Sequence, residues 1–107
     1  MKGRISDYIP YGKENAVARN ELAKLTGIED RANREMIKAE NPRLLKEFEE
    51  AIVSSSHHCG YWRTDDPYEM AQCVKEAHNR CRKILQNVEP IEDFLYDKYG
   101  MKIRGNC

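Results

Sequence analysis

The chain has 107 residues, 40% of them hydrophobic and 34% charged, and its 18 basic and 18 acidic residues give a formal net charge of zero. This length suits one domain with a modest core. No apolar run is long enough to cross a bilayer, and the N-terminal segment lacks the apolar stretch of a signal peptide, so we expect no membrane contact and a cytoplasmic location. Non-specific nucleic-acid binders are basic overall, so here the distribution of charge decides whether DNA can bind.

The first predicted elements are a short helix near residues 4–9 and a second helix from Arg19 to Leu25. The tight turn that follows uses Gly27, whose backbone accepts conformations that other residues avoid. Glu29 or Asp30 then begins a third helix, where a negative charge suits the N-terminal end of the helix dipole. Two helices joined by such a short turn form a helix-turn-helix unit.

The third helix, predicted over residues 30–40, has two chemically different sides on a helical wheel. Its apolar side consists of Ala32, Met36 and Ala39. The opposite side is basic, and at i, i+3 and i+7 it carries Arg31, Arg34 and Lys38. Asn33 falls between these sides and nearer the core, so we expect it to make a structural hydrogen bond instead of contacting a base. This pattern is typical of a DNA recognition helix.

The segment after residue 40 predicts a further short helix and then a β-hairpin. Asn41 is a good N-cap and Pro42 suits the first helical position, so a new helix is expected to begin here. The pairs 52–53 and 61–62 are β-prone and are separated by a turn-forming segment that ends at Gly60. Trp62, in the second strand, is expected to pack in the core.

A long helix is predicted to begin at Pro67, with Asp65 or Asp66 as its cap. Its apolar residues alternate spacings of three and four, which is a heptad seam made of Met70, Val74, Ala77, Cys81, Ile84, Val88, Ile91 and Leu95. Pro90 should kink or break the helix near Asn87. The seam either packs within the chain or joins two copies. We favour a homodimer, which would bring two recognition helices to successive major grooves about 34 Å apart.

The predicted order of elements is a winged helix-turn-helix followed by a long C-terminal helix, a mainly α fold with a small β-hairpin. The domain would span residues 1–66, the helical extension 67–99, and a frayed tail 100–107. The blocks "IPYGKENA", "LTG…DRANR" and "GYW" resemble small winged-helix proteins of phages and prophages of Firmicutes. That resemblance implies DNA binding and a phage or mobile-element origin. The chain departs from that pattern in an acidic segment, "NPRLLKEFEE", which would repel phosphate if it lay on the same face.

The DNA contacts expected from this fold involve the basic helix, its neighbour and the wing. Arginine can donate two hydrogen bonds to a guanine edge in the major groove, whereas lysine more often holds a phosphate. The expected DNA-binding residues are therefore Arg31, Arg34 and Lys38 on the recognition helix, Arg19 and Lys24 before it, and Ser56, His57 and His58 in the wing. The corresponding function is that of a transcriptional regulator or a replication accessory protein.

An alternative function is that of a small phage inhibitor of a host defence system, such as a CRISPR effector nuclease or another host protein. A fold does not determine a function, and a winged helix can also bind protein. Residues 75–83 carry four basic residues and one acidic one, whereas residues 89–97 carry four acidic residues and no basic one. These acidic residues and those near residue 50 would suit a basic nucleic-acid channel.

Neither catalysis nor a cofactor is expected from the sequence. It contains no carboxylate pair, phosphate-binding glycine loop or serine elbow that would point to an enzyme. His58 and Cys59 are adjacent in a strand-prone segment, so their side chains would point in opposite directions. The four cysteines form no CxxC pair and are expected to be free thiols, and no metal site is expected.

Overall fold

The protein is described by a computed structural model that covers residues 2–55 and 60–103. In chain order its regular elements are two 3-10 helices (Ile5–Tyr8 and Lys13–Asn15), helix α1 (Arg19–Thr26), helix α2 (Asp30–Phe48), strand β1 (Ala51–Ser54), strand β2 (Tyr61–Thr64) and helix α3 (Pro67–Tyr99). The prediction of a mostly helical fold with a small β-hairpin and a long C-terminal helix is confirmed.

The turn between α1 and α2 is held by buried polar groups. Gly27 ends α1 with φ at 71°, in the left-handed region, and its N–H donates to the Ala23 carbonyl. Asn33 is completely buried; its amide donates to the Ile28 carbonyl at 3.0 Å and accepts from the Thr26 hydroxyl at 3.1 Å. The expected structural role of Asn33 is confirmed, since its side chain ties the turn to α2.

Helix α2 runs without a break from Asp30 to Phe48, so the separate helix expected to begin at Asn41 is wrong. The Asn41 side chain does not cap a helix. It accepts from the Ile52 N–H at 2.8 Å and donates to the Ile52 carbonyl at 3.1 Å, which satisfies both backbone groups on the outer edge of β1. Pro42 therefore lies inside the helix, where it leaves the Lys38 carbonyl without its helical donor.

The buried side of α2 also differs from the predicted one. Ala39 is exposed, and Ala32 and Met36 are only partly buried. The buried stripe consists of Asn33, Ile37, Glu40 and Leu44. Two of these four residues are polar. A helical wheel that considers only apolar residues therefore predicts the wrong buried side for α2.

Glu40 joins α2 to the N-terminal segment through a network of charges. Its carboxylate accepts from the Ser6 hydroxyl at 3.0 Å and from Arg43 Nε at 2.7 Å, and it forms a salt bridge with Arg4 at 3.3 Å. The Arg43 hydrogen bond, helped by Ser6 and Arg4, holds the pKa of this carboxyl below its usual range, although its burial acts in the opposite direction.

The hairpin pairs β1 with β2 in antiparallel register, with Val53 opposite Trp62. The free edge of β2 is covered by residues 10–17: Val17 and Tyr61 exchange two backbone hydrogen bonds of 2.8 and 2.9 Å. At Gly60, where β2 is about to begin, φ is +136° and an added Cβ would lie 2.7 Å from the Val17 carbonyl oxygen. Only glycine fits this close approach.

Both faces of the hairpin are buried, and each contributes to a separate apolar cluster. One face joins the helices in a cluster of Ile5, Ile9, Val17, Leu22, Ile37, Leu44, Ile52 and Tyr61. The other face packs beside the first turns of α3, in a cluster of Ala51, Val53 and Trp62 with Ala16, Met70 and Cys73 against it. The expected core position of Trp62 is confirmed, since its exposed fraction is 2%.

Helix α3 begins as predicted and ends in a glycine cap. The Asp66 carboxylate accepts from the Tyr68 N–H at 2.8 Å, which confirms the predicted N-cap. The helix continues through Pro90, so the break considered near Asn87 does not occur. At its end Gly100 has φ at 67° and donates its N–H to the Tyr96 carbonyl.

The chain divides into two compact units, Met1–Cys73 and Val74–Cys107. The first unit contains both apolar clusters, and the second contains the rest of α3 and the residues that follow it. The unit boundary falls inside α3, because the first turns of this helix belong to the second apolar cluster.

None of the helices formed by the described residues is long and apolar enough to span a membrane.

We expect Asn33→Ala to destabilise the protein by about 1–3 kcal/mol, because it leaves the Ile28 carbonyl and the Thr26 hydroxyl without their buried partner. Urea unfolding followed by the fluorescence of Trp62, the only tryptophan, would measure the loss. Asn79→Ala, at an exposed position of α3, is the matched control. Equal midpoints for the two variants would contradict the role assigned to Asn33.

Glu40→Gln should lower the stability of the protein at neutral pH. It should also make the free energy of unfolding less dependent on pH in the acidic range. Because the folded-state pKa of Glu40 is depressed, its stabilising contribution is full above its ordinary pKa of 4.5 and is lost as pH falls through the folded-state value. Urea unfolding between pH 7 and pH 3 should therefore show the parent and the variant converging at the acidic end. Glu35→Gln, exposed on the same helix, is the control, and a constant gap for Glu40→Gln would count against the assignment.

Candidate nucleic-acid interface

The exposed side of α2 carries the three basic residues that the sequence predicts for it. Arg31, Arg34 and Lys38 are all exposed, and the opposite side of the helix is held in the core by Asn33 and Ile37. The row spans two turns of one helix. Since the buried side is locked by packing and hydrogen bonds, the direction of the basic row is set by the fold.

Arg34 is positioned by an ion pair within the same helix. Its Nε lies 3.2 Å from Asp30 Oδ2, four residues earlier, and the Arg34 side chain remains 55% exposed. A pair this exposed contributes little to stability, in the range of about 0.2–1 kcal/mol. Its main effect is to orient the guanidinium, whose remaining N–H groups stay accessible.

Charged residues of α1 and α2 influence the phenol of Tyr61, the first residue of β2. Burial raises the pKa of the Tyr61 phenol and the Asp30 carboxylate raises it further, whereas the Arg19 and Arg34 guanidiniums lower it. Two of the predicted DNA-binding residues, Arg19 and Arg34, therefore act on the electrostatic environment of the same phenol.

The remaining predicted contacts lie elsewhere. Lys24 is exposed in the last turn of α1. Ser56, His57 and His58 fall outside the described residues. The described part of the predicted interface therefore consists of α1, the basic row of α2 and the base of the hairpin.

The acidic end of α2 is largely neutralised by arginines. Glu47 accepts from Arg43 at 2.9 Å, and Glu50 pairs with Arg63 at 3.2 Å. Glu49 is exposed and ends the helix with φ at 55°. Two of the three acidic residues that were expected to repel phosphate thus have cationic partners, which reduces that repulsion.

A second basic cluster, not predicted from the sequence, lines an open cleft of about 850 Å³. Arg4, Arg43 and Arg63 come from three distant parts of the chain to form it. Each of these arginines has a carboxylate partner in Glu40, Glu47 or Glu50. The positive charges that line the cleft are therefore compensated by carboxylates. The row on α2 differs, because Arg31 and Lys38 have no ion pair among the described residues.

The cysteines differ from one another. Cys73 is a free thiol, as predicted, but Cys81 is disulfide-bonded, so the expectation of four free thiols is wrong. Cys59 and Cys107 lie outside the described residues. Within residues 2–55 and 60–103, no group of three or more His, Cys, Asp and Glu side chains has an arrangement suited to a metal ion.

The predicted heptad seam divides between the two units. Met70 packs against the apolar cluster around Trp62, within the first unit. In the second unit the seam is open: Val74, Ile84 and Val88 are 55%, 62% and 37% exposed, and Ala77 is also exposed.

Comparisons with protein-family models, with characterised proteins and with solved structures gave no match for this chain.

Replacing Arg31, Arg34 and Lys38 together with alanine should change the free energy of unfolding by less than about 1 kcal/mol, because these side chains are exposed and make one surface ion pair. Urea unfolding would measure the change beside Asn33→Ala, on the buried side of the same helix. A loss as large as that of Asn33→Ala would show that the basic row is structural.

Proposed function

We propose that the protein binds duplex DNA through the exposed side of α2. The observation that carries the proposal is the row of Arg31, Arg34 and Lys38, exposed together on a helix whose opposite side is locked in the core. The major groove of B-DNA is wide enough to admit an α-helix, and arginine side chains donate to guanine edges there. A recognition helix needs this combination of a fixed direction and free cationic groups.

The order of elements supports a winged helix-turn-helix. An N-terminal helical turn is followed by Val17, by two helices joined by a tight turn, and by the hairpin. The second strand of the hairpin pairs with Val17 through Tyr61. In this arrangement α2 is the recognition helix and the hairpin is the wing.

The roles of the individual residues follow from their chemistry. Arg31 and Arg34, near the start of α2, suit base edges, because the N-terminal residues of a recognition helix lie deepest in the groove. Lys38, one turn further on, suits a phosphate. Arg19 and Lys24 on α1 suit the flanking backbone, since the first helix of such a pair crosses the phosphates.

The zero net charge is compatible with this function because the charges are segregated. Acidic residues near the end of α2 pair with arginines, whereas Arg31 and Lys38 have no such partner among the described residues. Binding would then depend on a few local contacts and not on a general basic surface. We propose a role as a phage-type transcriptional regulator or replication accessory protein, in line with the resemblance of the "LTG…DRANR" and "GYW" blocks.

The decisive experiment is a fluorescence-anisotropy titration with labelled duplex fragments that flank the protein's own gene, at low and moderate salt. We expect saturable binding to one fragment. Arg34→Ala should weaken it about 5- to 150-fold, the equivalent of the roughly 1–3 kcal/mol of one arginine contact to a base. Lys38→Ala should weaken binding to all duplexes alike and reduce the salt slope by about 1.

Lys83→Ala is the matched control for Lys38→Ala, because both replace an exposed helical lysine. It should leave the affinity unchanged. If the folded parent fails to bind any duplex even at low salt, or if the Lys38 and Lys83 variants behave alike, α2 is not a DNA-reading helix.

A second candidate function, inhibition of a host nuclease, is favoured by a different observation. Glu89, Glu92, Asp93 and Asp97 are all exposed on the C-terminal part of α3, without an ion pair among the described residues. Such a surface would complement a basic nucleic-acid channel. In that case the protein would ignore duplex DNA in the titration and would instead block DNA binding by a purified CRISPR effector nuclease.

A further inference from the structure

The second unit exposes an apolar stripe along α3, interrupted at the disulfide-bonded Cys81, which we call the α3 stripe. It consists of Val74, Ala77, Ile84, Val88, Ile91 and Leu95, and all of these except Leu95 are exposed. Between the first and last of them the helix rises about 32 Å, at 1.5 Å per residue. Ile84 and Ile91 alone are 62% and 60% exposed. An apolar surface this long marks a site of interaction on a small protein.

The spacing of the stripe indicates what kind of partner it fits. Its residues repeat at alternating intervals of three and four, the pattern by which one helix packs side chains into the gaps of another. Cys81, which is disulfide-bonded, occupies the intervening position of the same repeat. The partner surface is therefore a second helix with the same repeat, and a second copy of α3 provides it.

The charges on α3 distinguish between the two orientations of such a pair. Three exposed basic residues and three exposed acidic residues are placed symmetrically about residue 86: Lys83 and Glu89, Arg80 and Glu92, and Lys75 and Asp97. They lie three, six and eleven residues away on either side. No ion pair among the described residues engages any of the six.

A two-fold axis at residue 86 would also bring most of the apolar residues into matching layers, with Ile91 opposite Cys81 and with Val74, at the end of the stripe, opposite Lys98. Residues at equal distances on either side of the axis would then face each other, so that Ile84 opposes Val88 of the second copy and Ala77 opposes Leu95. Each layer therefore combines a residue at heptad position a of one helix with a residue at position d of the other. The layer of Ala77 and Leu95 sets a small side chain against a large one, as close packing requires.

We propose that two copies of the protein associate through their α3 stripes in antiparallel orientation. The basic segment of each helix, residues 75–83, would then lie beside the acidic segment of the other, residues 89–97. A parallel pair would place basic against basic and acidic against acidic, which is unfavourable along the whole helix. The proposal concerns α3 alone and stands or falls independently of DNA binding by α2.

Sedimentation equilibrium of the full chain over a range of concentrations tests the association. We expect a reversible dimer, which Ile84→Glu with Ile91→Glu should weaken at least 100-fold because charges would enter the apolar layers. Asn79→Glu with Gln86→Glu adds the same charges on the outer side of the helix and is the matched control. Circular dichroism should show the same helix content in every variant. A non-reducing gel checks that the dimer is not disulfide-linked.

Charge reversal tests the orientation and touches no core residue. Arg80→Glu with Lys83→Glu makes residues 75–83 net acidic, like residues 89–97, and Glu89→Lys with Glu92→Lys removes the net negative charge of residues 89–97. In an antiparallel dimer each double reversal should weaken association roughly 3- to 10-fold, and combining all four changes should restore it. In a parallel dimer each segment faces the same segment of the second copy, so neither double reversal should weaken association.

Three results would overturn the proposal. A parent that stays monomeric at the highest attainable concentration would remove the dimer. A dimer that resists Ile84→Glu with Ile91→Glu would place the contact elsewhere. A dimer insensitive to both charge reversals would exclude the antiparallel arrangement.

Discussion

The burial of polar side chains along one side of α2 is the constraint on which the first unit depends. A polar group removed from water costs stability unless it finds a partner, so each such residue specifies what must lie beside it. Asn33 requires the turn after α1, Glu40 requires Ser6 and the arginines around it, and Asn41 requires the edge of β1. One helix thereby fixes three other segments at the same time.

The same constraint determines which side of α2 faces water. With Asn33, Ile37, Glu40 and Leu44 held inside, the helix cannot rotate without leaving several buried groups unpaired. Arg31, Arg34 and Lys38 are consequently directed outward together. A basic side chain that points in a fixed direction loses less entropy on binding than a mobile one, which is why a rigid helix suits the proposed role.

The second unit follows a different principle. Its part of α3 has exposed apolar residues in a regular repeat, together with a basic and an acidic segment of opposite sign. Among the described residues most of this apolar side is exposed, so its burial contributes little to the stability of the helix. The proposed antiparallel dimer would cover this side with a second α3, in the orientation that the charges about residue 86 favour.

Local features of the sequence were sufficient to predict α1, its glycine turn, the hairpin, the Asp66 cap and the three exposed basic residues of α2. Each depends on neighbours within a few residues, through backbone freedom, capping or helical periodicity. The continuity of α2 through Pro42 could not be predicted in this way, because Asn41 bonds to Ile52, eleven residues away, instead of capping a helix. The pairing of Glu50 with Arg63 and of Val17 with Tyr61 likewise arises only when distant segments meet. Sequence alone thus determined the local elements and the basic row, whereas the buried polar contacts that orient that row were decided by tertiary structure, because their partners are brought together only by folding.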